Sequence, residues 1–234
     1  MSIRIVRGEV GSRDATTRIL LPGSAHESLP PFERVAETIA TPRRRFPVHR
    51  HQGVEVLTYV IEGSASYEFG PGPADPLVPG DVRLLTAPTP VSHVINPGTG
   101  STVRWFAVVA TLSGGKSDRA RVQSGVARSA GLQPDGTIER RICGPGSGIT
   151  AEAGLECTSI EFEANGTAFR RVGHDRVAVA YALSGTGTID NQTLEAGEAA
   201  LVEEAAGIAL QGAPGCRVIL VTAPRGTPHP ASGR

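Results

Sequence analysis

Apolar runs with period-two alternation, each closed by glycine, occur twice along the chain. VEVLTYVIEGSASYEF (54–69) is followed by LVPGDVRLLTAPTPVSHVIN (77–96), and VAVAYALSGTGTID (177–190) by LEAGEAALVEEAAGIALQ (194–211). Their alternation and β-branched content predict strands rather than helices. The connections Gly63-Ser64, Gly185-Thr186, Pro79-Gly80-Asp81 and Ala196-Gly197-Glu198 carry the residues that tight turns need. The copies align on Gly63 with Gly185 and on Gly80 with Gly197. The loop between these landmarks is longer in the first copy, where Gly70-Pro71-Gly72-Pro73 and Asp75-Pro76 mark an excursion.

A repeated unit of this kind predicts a duplicated domain. The expected architecture is all-β, with two β-barrels or sandwiches in tandem. The N-terminal domain covers 1–112, a linker 113–140, the C-terminal domain 141–225 and a flexible tail 226–234. The linker is polar and rich in Gly, Ser and Arg, with one short helix expected at 117–122.

Composition agrees with that reading. The chain has 234 residues with 29 Gly and 18 Pro, which interrupt it too often for long helices. Only 4% of residues are aromatic, so the core must be built from Val, Ile, Leu and Ala. Basic and acidic residues balance at 23 each, so no strong field is available for a nucleic-acid backbone or an anionic membrane. Cys143, Cys157 and Cys216 are odd in number and lack CxxC spacing, and are expected as small buried hydrophobes. The sequence shows no secretory h-region and no apolar run of transmembrane length, which makes the cytoplasm the expected location.

The candidate chemistry lies in the histidines. His26, His229 and His174 fall in segments that read as loop or tail, or out of strand register. His49 and His51 form an H-R-H entry to a strand, and residues two apart in extended backbone point to one face. His93 follows the Pro79-Gly80-Asp81 turn. Parity counted from Gly63 puts Val56, Thr58 and Val60 on one strand face and Glu55, Leu57, Tyr59 and Ile61 on the other. Glu55 is the nearby carboxylate, a candidate for a supporting role beside the histidines or, through a local bulge, for a fourth ligand. Arg43, Arg44 and Arg45 precede the site as a solvated charge run or as a basic lip for an anionic substrate. The Gly144-Pro145-Gly146-Ser147-Gly148 cluster lacks the Lys-Ser/Thr and the helix of a phosphate loop.

His49-Arg50-His51, Glu55, the strand ending at Gly63, then Pro79-Gly80-Asp81, His93 and Asn96 together resemble the two-part cupin signature. Within the cupins, FPVHRHQGVEVLTYVIEG looks most like the pirin family, whose members typically read HPHRGxExVTYVLEG at this place. The resemblance is strong over about 46–96, and over the rest it extends to the layout of two cupin domains. It implies one divalent metal in the N-terminal barrel, held by His49, His51 and His93. Iron(II) is the family's expected metal; Zn, Ni, Cu and Mn also suit three imidazoles. The family pattern continues as HxE, but here the Glu position holds Ile95. The carboxylate ligand is therefore missing and the site is one unit more positive, which favours a bound enolate.

The second copy has no counterpart of the three histidines. Counting from the glycines places Arg171, Gly173 and Leu210 at those positions, so the second domain is expected to be metal-free. The resemblance further implies a metal-dependent enzyme of the dioxygenase type, similar to quercetin 2,3-dioxygenases, acting on a small phenolic or enolic molecule. Its alternatives are a non-redox cyclase or isomerase, a regulatory protein binding a protein partner, and a metal-free small-molecule binder.

Overall fold

The structure is a computed structural model and describes residues 1–11, 15–21, 29–112 and 118–226. His26, His229, 113–117 and the tail from 227 lie outside the described residues. Among the described residues every named element is a strand, and no helix is long and apolar enough to cross a membrane.

The strands form two large and two small antiparallel sheets. The first large sheet runs, in spatial order, Arg121–Val126, Asp81–Ala87, Val54–Glu62, Val103–Thr111, Phe32–Ala40, Ala15–Leu21 and Glu9–Gly11. Over it lies a small sheet of His49–His51, Val91–Pro97, Ala65–Phe69 and Asp75–Leu77. The second large sheet runs Ser2–Arg7, Glu198–Glu203, Arg176–Ser184, Arg217–Pro224, Glu156–Phe162, Thr137–Cys143 and Arg128–Leu132. Its small partner comprises Gly166–Arg171, Gly207–Gly212, Thr186–Ile189 and Gln192–Glu195.

Position by position, the second pair of sheets repeats the order of the first, as the duplicated glycine pattern predicts. Gly63 and Gly185 have φ of 73° and 70°, and Gly80 and Gly197 have 96° and 90°. These backbone conformations disfavour any residue with a Cβ. At Gly63 a Cβ would also collide with the carbonyl oxygen of Thr102.

Two boundaries differ from expectation. Ser2–Arg7 belongs to the second large sheet, paired with Glu198–Glu203, although it begins the chain. Arg121–Val126 closes the first large sheet by pairing with Asp81–Ala87. The two sheets thus exchange their outermost strands. The 113–140 segment is not a plain linker, because it holds Arg121–Val126, Arg128–Leu132 and the start of Thr137–Cys143. The helix expected at 117–122 does not form over 118–122, where the Arg121–Val126 strand begins. These strands are polar because they are sheet margins: Arg128–Leu132 is exposed along its whole length.

The large sheets pack face to face. Leu57, Tyr59, Phe106 and Val108 of the first meet Val179, Tyr181, Leu201 and Val221 of the second in one core, with Phe106 stacked on Tyr181 at 5.7 Å. Within this interface the buried carboxylate of Glu37 accepts hydrogen bonds from the Tyr181 hydroxyl at 2.6 Å and from Arg104 Nε at 2.5 Å. The domains are therefore joined by an apolar core with a satisfied polar lock. Cys143, Cys157 and Cys216 are free and buried, as expected.

The two barrels differ in how they are filled. Between the second large sheet and its small partner, Ile160, Phe162, Val172, Ile208 and Leu210 form a packed core. The equivalent space in the first barrel holds a cavity.

Candidate metal centre

Three histidines reach this cavity from two strands of the small sheet. His49 and His93 are direct cross-strand partners, and His51 lies opposite Val91. Two-residue spacing on one extended strand and pairing with the next therefore bring three imidazoles together without any distortion of the chain. Ring centroids are 4.4 Å apart for His49–His93 and 5.0 Å for His49–His51 and His51–His93. One ring nitrogen from each lies within 4.8 Å of the others.

The chemistry of these nitrogens fits a divalent ion. Both ring nitrogens of His93 and Nε2 of His51 are buried without a hydrogen-bond partner among the described residues. Orphaned polar atoms of this kind are costly unless something binds them. His49 is exposed, and its Nδ1 lies 3.2 Å from the carbonyl oxygen of Pro47. Donation to that oxygen leaves Nε2 as the free lone pair, the usual way in which an outer contact fixes the tautomer of a ligating histidine. Metal–nitrogen bonds of about 2.0–2.1 Å need the three nitrogens closer together than the 4.8 Å limit, which rotation of the side chains can supply. The residues present therefore fit a metal ion.

Burial and the neighbouring His49 lower the pKa of His93 to about 3, and burial, His49 and Arg34 lower that of His51 to about 4. Both rings are neutral at pH 7 and have lone pairs to offer. In the metal-free protein these folded pKa values lie below the unfolded value, so acid protonates the unfolded chain first. The associated stability is complete above about pH 6.5 and is lost as pH falls towards the folded values. For the buried His93 the loss by pH 4 is on the order of 3 kcal/mol. Denaturant melts of metal-free protein at pH 7 and pH 4.5 check this. His93→Leu should shrink the difference, and an unchanged difference would contradict it.

The remaining walls are largely apolar. The cavity, about 320 Å³, is bounded by Phe46, Val56, Ile95, Trp105, Ala107 and Val109, with Thr38 and Thr58 as neutral polar groups. Phe46 is held by its N–H, which donates to Asn96 Oδ1 at 2.9 Å, and its ring meets Trp105 edge-on at 5.5 Å. Ile95, two residues beyond His93, faces inward and is buried. Among the described residues no Asp or Glu lines the cavity.

Glu55 does not belong to this site. The Val54–Glu62 strand shows the alternation read from Gly63: Val56 and Thr58 line the cavity, while Leu57, Tyr59 and Ile61 enter the interdomain core. No bulge turns Glu55 inward. Its carboxylate is fully buried on the far face and accepts hydrogen bonds from the Thr86 hydroxyl at 2.7 Å, Glu152 N–H at 3.1 Å and Ala153 N–H at 2.8 Å. It ties the first domain to the second and cannot serve as the fourth ligand or as a catalytic group at the histidines.

The arginine run is likewise absent from the cavity lining. Arg43 and Arg45 are exposed, and Arg44 lies over the outer side of Phe46 at 5.1 Å. The cation that does line the cavity is Arg34, which sequence reading passed over. Its signal is the parity of the Phe32–Ala40 strand, where Arg34, Ala36 and Thr38 share the cavity face while Val35 and Glu37 face the other domain.

In the second barrel the register identifies the counterparts more closely than counting from the glycines. Leu210 pairs with Ile189, four residues beyond Gly185, just as Ile95 pairs with Tyr67, four residues beyond Gly63. Leu210 therefore corresponds to Ile95 and Ile208 to His93. Opposite Ile208 stands Arg170, the counterpart of His49. The connection after Gly197 is two residues shorter than that after Gly80, which displaces the count. No histidine occupies any of these positions, and His174 is exposed in a turn.

Comparison with known proteins agrees with the fold. The Pirin family model matches residues 5–106. "Pirin-like protein 2" of Arabidopsis thaliana is 33% identical over 79 residues, 34% of this chain and 25% of that protein. "Putative quercetin 2,3-dioxygenase PM1685" of Pasteurella multocida is 29% identical over 75 residues, 32% of each chain. The matched segments thus span about a quarter to a third of these curated relatives. The crystal structure of the bacterial pirin YhhW of Escherichia coli, in complex with nickel(II), superposes with a TM-score of 0.80 at 13% identity, covering 96% of this chain and 100% of that one. The N-terminal part of the chain thus matches the Pirin family model, and the whole chain shares the all-β, two-domain fold of the YhhW structure.

Proposed function

We propose that the pirin-type N-terminal barrel binds one divalent metal ion through His49, His51 and His93 and acts on a small phenolic or enolic molecule, in chemistry of the dioxygenase type. Iron(II) is the expected ion, with nickel, zinc, copper and manganese compatible with the same donors. The observation that carries this reading is the meeting of three imidazoles, two of them with buried ring nitrogens that have no partner among the described residues, in a largely apolar cavity of small-molecule size in one barrel of two. The second barrel, with its core filled, supports the first and holds no metal.

When bound, the metal would supply Lewis acidity and open positions for a substrate oxygen. The chain's own residues do the rest. Phe46, Trp105 and Ile95 keep water away and offer flat apolar surface to a ring. Thr38 and Thr58 offer hydroxyls for orientation. A carboxylate general base is missing, since Ile95 replaces it and Glu55 faces away. A substrate hydroxyl would therefore have to lose its proton to solvent before it is bound. That requirement favours acidic phenols and enols over neutral flavonols. It also keeps a non-redox reading open, in which the same site promotes a cyclisation or isomerisation through an enolate.

Oxygen uptake by iron(II)-loaded protein with a panel of catechols, acidic enols and flavonols tests the proposal, with His93→Ala as the control. Uptake is expected with at least one acidic phenol or enol and is expected to vanish in the variant. Metal-loaded protein that consumes no oxygen with any of them, but converts an enolic substrate anaerobically, would move the assignment to the non-redox reaction. No conversion of either kind would overturn the enzymatic reading.

A further inference from the structure

Three features of the cavity concern charge. First, its lining includes one permanent cation, Arg34, on the strand face shared with Ala36 and Thr38. Arg34 is exposed, and no carboxylate pairs with it among the described residues, whereas Arg18 and Arg104, on the same large sheet, both reach Glu37. Second, among the described residues no acidic side chain lines the cavity, and the inward position two residues beyond His93 is Ile95. Third, apart from the histidines and three threonines, Thr17, Thr38 and Thr58, the walls are aromatic and aliphatic, which screens charge less than water does and strengthens an ion pair formed there. A cavity of about 320 Å³ also sits at the lower end of the range for small-molecule sites, roughly 300–1,000 Å³. That is room for one ring with a short substituent.

We propose that Arg34 is the specificity-determining residue of this cavity and that the ligand is a small planar acid, a one-ring aromatic or enolic carboxylate. The guanidinium takes the carboxylate at the cavity mouth, and the ring lies against Trp105 and Ile95. A planar fork of N–H donors matches a carboxylate in a way that no other cavity side chain does. The ligand would bring with it the negative charge that Ile95 withholds from the site. This deepens the functional reading above and rests on it for the chemistry, but Arg34 can recognise an acid whether or not metal is bound.

Trp105 provides the readout, because it is the single tryptophan of the chain and it lines the cavity. Its fluorescence is followed while metal-free and nickel(II)-loaded proteins are titrated with benzoate and with the neutral isostere benzamide. Benzoate is expected to bind more tightly by about ten- to a hundredfold, the range of one charge-assisted contact. Arg34→Gln should remove that preference while leaving benzamide binding and nickel uptake unchanged, and Arg34→Lys should restore part of it. Ile95→Glu, which places a like charge inside, should also abolish benzoate binding. Equal affinities for acid and amide, a preference that survives in Arg34→Gln, or no quenching by either probe would each overturn the proposal. A preference present in metal-free protein that takes up no nickel would uphold Arg34 and instead sink the metal-dependent function.

Discussion

Glu55→Ala is expected to destabilise the protein by about 3–5 kcal/mol, the range for removing a buried charged partner, without changing its metal content. The carboxylate is fully buried and receives three hydrogen bonds, two of them from consecutive backbone N–H groups of the second domain. Truncation leaves those donors without a partner in the domain interface and opens a void beside Cys143, whose thiol pKa is raised to about 12 by burial and by the nearby Glu55 charge. For a chain of this length the melting temperature should fall by on the order of 10 °C. Glu55→Gln keeps the shape and one acceptor oxygen, and should recover part of the loss. Thermal melts combined with metal analysis separate the two roles. Loss of metal from a Glu55 variant that remains folded would show that the carboxylate serves the histidine site after all.

His93→Ala is expected to have the opposite profile, with metal binding lost and the fold kept. His93 is the most enclosed of the three rings, and both of its nitrogens lack a protein partner. Removing it deletes a donor and also an unsatisfied buried polar group, so the metal-free variant should melt within a few degrees of the metal-free parent. The residual His49–His51 pair should hold metal at least a hundredfold more weakly than three ligands do. Retention of stoichiometric metal by the variant would show that the ligand assignment is wrong.

Some of this was legible in the sequence because it depends on local rules. Gly63, Gly80, Gly185 and Gly197 announce their turns because positive φ excludes most other residues, and the repeat follows from their spacing. His49 and His51 announce a common direction because strand period is two. The same parity separated Val56 and Thr58 from Glu55 and Leu57, and the structure follows it. Other features depend on tertiary placement. Ser2–Arg7 and Arg121–Val126 trade sheets, and only long-range pairing reveals it. The latter strand and Arg128–Leu132 read as linker because marginal strands stay polar and so mimic a loop. Arg34 was hidden for a related reason: its strand alternates between a cavity and a domain interface, so neither face shows a simple polar or apolar rule. The arginines at 43–45 drew attention by their clustering, yet the one that lines the cavity stands alone.

Retaining the metal donors while losing the acidic ligand separates two properties that family resemblance tends to join. Position in the fold and donor chemistry make the first barrel the place where a metal fits. On the reading proposed above, Ile95 and Arg34 together would shift the substrates of such a site from neutral hydroxylated rings towards ready-made anions. The match to the Pirin family model therefore supports an expectation of metal binding more directly than one of quercetin turnover.

The most direct measurement is the metal content of full-length protein purified without a histidine tag, before and after incubation with iron(II). The expected result is about one equivalent per chain, lost in His93→Ala. Less than about a tenth of an equivalent, with no uptake when iron(II) or nickel(II) is added, would contradict the three-histidine centre.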